Sequence, residues 1–69
     1  MELLIIKSGE KYIRVKEETY LLCSLDKASV FPFEKIEVVK RHVQSLKRQA
    51  FRDVATFKLI LSERPFNLS

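Results

Sequence analysis

Only one stretch of this chain repeats its apolar residues with the period of a helix. Ile36, Val39, Val43, Leu46 and Ala50 are spaced 3, 4, 3 and 4 residues apart. At 100° per residue they fall within roughly 80° of arc, so a helix over Pro32–Phe51 carries one apolar stripe and must bury it. The repeat is too short for a coiled coil. Charge agrees with the helix: Glu34 and Glu37 stand near its start, and Lys47, Arg48 and Arg52 near its end. Each sign faces the favourable pole of the helix dipole. Pro32 suits a first helical position, since it lacks an amide hydrogen that would have no acceptor there.

The stripe must be covered by strands, because the rest of the chain alternates or runs apolar. Leu3–Ile6 is a short apolar run. Lys11–Lys16 alternates, with Ile13 and Val15 on one side and Tyr12, Arg14 and Lys16 on the other. Gly9, the only glycine, stands between them where a hairpin turn needs a positive φ. Glu17-Glu18 reads as a second turn, Thr19–Cys23 as a third strand and Ala28–Phe31 as a brief extended piece. Phe31 precedes Pro32, which disfavours helical geometry at Phe31. Val54–Glu63 alternates again and ends before Pro65.

The expected fold is therefore α+β: a small, mostly antiparallel sheet of three to five strands, one main helix on one face, in the order β-β-β-α-β. With 69 residues the chain is one domain over 1–69, with 64–69 as a tail that either tucks onto the core or stays mobile. The expected core is Leu4, Ile6, Ile13, Val15, Leu22, Ile36, Val39, Val43, Leu46, Phe57, Leu59 and Leu61. On the first strand both faces are apolar, so Leu3 and Ile5 compete with Leu4 and Ile6 for the core side. The open sheet face would then carry Tyr12, Arg14, Lys16, Val54, Thr56, Lys58 and Ile60. Val54 and Ile60 are poorly suited to water, which makes this face a candidate for homodimer formation.

Charge is distributed unevenly. Glu34–Arg52 holds six basic residues against two acids, while the rest of the chain balances seven against seven. The whole net charge of +4 thus sits in one element. Two Lys-Arg pairs, Lys40-Arg41 and Lys47-Arg48, lie seven residues apart, about 10 Å along a helix axis. They form the candidate binding site, for an acidic protein surface or for phosphate of a nucleic acid. The competing reading is a solvated helix face, with Glu37 drawing charge from Arg41 at i+4. The row contains no aromatic residue for base stacking. Tyr12 and Tyr20 alone make no recognisable RNA platform, and a single helix makes no helix-turn-helix.

Other chemistry is thinly represented. One cysteine, Cys23, and one histidine, His42, stand on different elements without a third orienting group. Cys23 among leucines reads as a small buried hydrophobe, and His42 as a ring packed at the sheet edge. Glu17, Glu18 and Asp26 lack the spacing of a cation loop. Lys7–Glu10 lacks the glycines of a phosphate cradle. Phe31 and Phe33 read as staples of the helix start, or else as an exposed partner anchor. No cofactor, metal or catalytic set is expected. A lone cysteine and the absence of a long apolar run point to the cytoplasm and away from membranes. The expectation is a small non-enzymatic binding or interaction module using the basic helix face. Its alternatives are sequence-nonspecific nucleic-acid binding and a self-associating structural or accessory subunit.

Overall fold

The computed structural model describes residues 2–60 and 62–66. These residues form five strands, β1 (Glu2–Ser8), β2 (Lys11–Lys16), β3 (Thr19–Cys23), β4 (Phe31–Pro32) and β5 (Val54–Ile60), and one α-helix, α1 (Ile36–Arg48). All strand pairs are antiparallel. The α+β order read from the sequence is found, with the two-residue β4 added before the helix.

β1 is the centre of the sheet. β5 runs along one side of it from Glu2–Ile60 to Ser8–Val54 without interruption. The other side is divided. β2 meets the end of β1 at Lys7–Tyr12 and Ser8–Lys11, and β4 meets its beginning at Leu3–Pro32 and Leu4–Phe31. Ser29 fills the opening where β2 leaves β1. Its N–H donates to the Ile13 carbonyl at 3.0 Å, and its hydroxyl oxygen accepts the Val15 N–H at 2.8 Å.

The turns follow backbone chemistry. Gly9 has φ 61°, the left-handed value that glycine adopts at little steric cost. Glu17 takes φ 53° in the β2–β3 turn, where the Thr19 hydroxyl donates to the Lys16 carbonyl at 2.8 Å.

The helix is shorter than the sequence implied. Pro32 has ψ 151° and closes β4 in extended geometry. A 3₁₀ turn over Phe33–Lys35 then leads into α1. At the far end the Phe51 N–H donates to the Leu46 carbonyl and the Ala50 N–H to the Lys47 carbonyl, both at 3.1 Å. This is a Schellman cap, with Ala50 at φ 66°. Ala50 is exposed and lies outside the apolar stripe assigned to it.

The core consists of Leu4, Ile6, Ile13, Val39 and Leu46, with Val15, Tyr20, Phe31, Ile36, Val43, Phe51 and Val54 packed against it. Leu4 and Ile6 thus take the helix side of β1. Ile5 is also buried, at 4% exposure, on the opposite side. Both apolar faces of β1 are used.

Four expected core residues, Leu22, Phe57, Leu59 and Leu61, need correction or lie outside the described residues. Leu22 is 55% exposed and Phe57 48% exposed, and Leu61 lies outside the described residues. Leu22 is on the helix side, opposite Ile13, but β3 is the sheet edge remote from β5, and the core cluster does not reach Leu22. Phe57 is displaced by register. Cross-strand partners share a face, and Leu4 pairs with Lys58, Ile6 with Thr56 and Ser8 with Val54. The helix side of β5 therefore carries Val54, Thr56, Lys58 and Ile60. The outer side carries Ala55, Phe57 and Leu59, the reverse of the face assignment read from the sequence. Leu59 is half-buried there beside Leu3. In the 64–69 tail, residues 64–66 are irregular and exposed; residues 67–69 lie outside the described residues.

Candidate functional site: the basic face of the helix

α1 presents Lys40, Arg41, Lys47 and Arg48 to solvent. The buried residues of the same helix are Val39 and Leu46, each next in sequence to a basic pair. Packing that side against the sheet fixes the pairs on the accessible surface. Lys40 lies 3.5 Å from a carboxylate oxygen of Glu37, and the two side chains are 61% and 78% exposed. That i,i+3 contact replaces the Glu37–Arg41 pair anticipated from sequence. An exposed pair of this kind stabilises little, but it lowers the net positive charge at the start of the row. Arg41, Lys47 and Arg48 make no ion pair among the described residues. Arg52, also exposed, extends the basic character beyond the helix cap.

Cys23 and His42 are not brought together. Cys23 lies opposite Tyr12, on the outer sheet face, and its thiol is 3.6 Å from the Tyr12 carbonyl. His42 lies on the other side, with Nδ1 2.8 Å from the Tyr20 hydroxyl. Tyr20, Phe31 and Phe51 gather around this contact, with ring centroids 5.6–6.3 Å apart. Tyr12 and Tyr20 therefore face opposite ways and form no common stacking platform. Phe31 serves as a core staple. Phe33 is 45% exposed, with Lys58 Nζ 5.2 Å from its ring centre.

A shallow, open concavity of about 400 Å³ lies at the end of α1, lined by Ser8, Leu22, Gln49, Ala50, Phe51 and Arg52. It contains no set of titratable groups in catalytic arrangement. Among the described residues no three His, Cys, Asp or Glu side chains are grouped to hold a metal ion. No helix there is long and apolar enough to cross a membrane.

The outer sheet face is apolar as the sequence suggested, but its apolar β5 residues are Phe57 and Leu59 rather than Val54 and Ile60. Leu3, Ile5, Phe57 and Leu59 lie together on it by register, and Lys7 Nζ stands 4.9 Å from the Tyr12 ring centre and 5.2 Å from that of Phe57. The apolar run of Leu3–Ile6 was its signal in β1: a strand needing only one buried face would alternate.

No protein-family model, curated protein or solved structure matches the chain.

Proposed function

We propose that this chain is a small non-enzymatic binding module that grips a polyanion with the exposed face of α1. The chemistry that best fits the row is nucleic-acid phosphate, held without sequence preference. Arg41 and Arg48 are suited to bidentate contacts, and Lys40 and Lys47 act as point charges. The supporting observation is the grouping of four exposed cations on one helix, only one of which has an acidic partner among the described residues. The absence of aromatic residues in the row argues for backbone contacts rather than base reading. The lone thiol and the intracellular polyanion together favour the cytoplasm.

Fluorescence anisotropy with labelled single- and double-stranded oligonucleotides tests this reading. Binding should weaken with salt, with a log–log slope of about −0.9 per phosphate engaged on duplex DNA. Replacing Lys40, Arg41, Lys47 and Arg48 by Gln should abolish it while leaving the thermal midpoint close to that of the parent. No binding at low salt, or equal binding by the variant, would overturn the proposal.

A further inference from the structure

We infer that β5 is a dimerisation edge, which a second copy of this chain extends by antiparallel β5–β5 pairing about a two-fold axis at Phe57. This rests on observations independent of the basic row.

Among the described residues β5 is paired on one side only, with β1. Its other side there presents backbone donors and acceptors without a strand partner over seven residues. An edge of this kind is a template for another strand unless something blunts it. The usual protections are missing. The register with β1 runs unbroken, so β5 has no bulge, and it contains no proline. Its single charge, Lys58, is engaged 3.2 Å from Glu2 and over the Phe33 ring. The edge is thus locally neutral, although the chain carries +4 overall. Two copies meeting here escape the repulsion that two basic helix faces would feel.

The strand also complements itself. A two-fold at Phe57 sets Val54 against Ile60, Ala55 against Leu59 and Thr56 against Lys58, with Phe57 against its own copy. Apolar residues then oppose apolar ones, and no lysine opposes a lysine. Moving the axis to Lys58 would place two like charges opposite each other, which is destabilising. Phe57 and Ile60, 48% and 69% exposed, would gain partners. The outer strips of Leu3, Ile5, Phe57 and Leu59 would join into one. The opposite edge, β3, is shorter at five residues. Because β5 pairs with itself, the contact is isologous and closes at two copies.

Sedimentation of the full chain from low micromolar to several hundred micromolar should show a monomer–dimer equilibrium and nothing larger. Phe57→Lys places two charges across the axis. It should leave a monomer over that range, with a circular-dichroism spectrum like that of the parent. A second measurement does not depend on that variant folding. In a Cys23→Ala background, Phe57→Cys should form an intermolecular disulfide with oxidised glutathione as electron acceptor, because directly opposed strand residues have disulfide-compatible Cα separations. Leu21→Cys on β3 should not. A monomer at every concentration would overturn the inference. So would an open series of larger species, which signals head-to-tail β3–β5 pairing, or cross-linking at Leu21→Cys in preference to Phe57→Cys.

Discussion

The Tyr20 hydroxyl and Nδ1 of His42 share a hydrogen bond of 2.8 Å that ties the β3 edge to the middle of α1. Tyr20 sits opposite Val15, and its ring is also edge-on to Phe51 just past the helix cap. One side chain thus links strand, helix and cap. Tyr20→Phe should keep the aromatic packing and lose the polar link, costing about 1 kcal/mol. A cycle of Tyr20→Phe, His42→Ala and the double variant should give a coupling energy of about 1 kcal/mol in urea unfolding. Additive single effects would mean that the link contributes nothing.

The helix cap offers a stabilising change. Ala50 holds φ 66°, a left-handed geometry that costs an L-residue roughly 1–2 kcal/mol and glycine almost nothing. Ala50 is also exposed, so losing its methyl removes no core contact. Ala50→Gly should stabilise the fold by about 1 kcal/mol and raise the melting midpoint by about 4–8 °C. A lower midpoint would show that the cap is not formed in solution.

Two leucines separate the core from the open edge. Leu46 is fully buried and Leu22 is 55% exposed. Leu46→Ala should cost about 2–5 kcal/mol. Leu22→Ala should shift stability by no more than about 0.5 kcal/mol. Comparable losses would place Leu22 in the core after all.

The Glu37–Lys40 contact makes a prediction about the basic face. Glu37→Gln removes the acid beside Lys40. If phosphate takes its place, binding at low salt should tighten and the salt slope should steepen by up to about 0.9 on duplex DNA. Anisotropy titrations at several salt concentrations measure both. An unchanged slope would mean that Lys40 takes no part.

Much of this arrangement was legible because it is local. The helix stripe needs only residues three and four apart, and Ile36, Val39, Val43 and Leu46 all meet the sheet as their spacing implied. Gly9 announced its turn because its positive φ is costly for any other residue type. The exposure of Lys40, Arg41, Lys47 and Arg48 followed from the same stripe, since each pair adjoins a buried residue. The face of β5 was not legible, because both of its alternating sets are apolar: Phe57 and Leu59 on one side, Val54 and Ile60 on the other. A distant anchor fixes the choice. The Ser8 hydroxyl donates to the Arg52 carbonyl at 2.5 Å, and the Gly9 N–H donates to the Asp53 carbonyl at 3.3 Å. These contacts hold Val54 beside Ser8, and in a strand a shift of one residue would reverse every side chain. Periodicity within β5 contains no record of that anchor. The Schellman cap was hidden for a related reason: Ala50 has the right spacing for the stripe, and its left-handed backbone carries no glycine to mark it.

The central place of β1 has a kinetic consequence. Of the five described strands it is synthesised first, yet its longest partner, β5, is synthesised last of the five. The β1–β2 and β2–β3 hairpins involve neighbouring residues and can close early. Leu4, Ile5 and Ile6 meanwhile keep one bare side until Val54–Ile60 has left the ribosome. Closing so long a loop is slow compared with closing a hairpin. The interval before β5 arrives is therefore when this small protein is most exposed to aggregation.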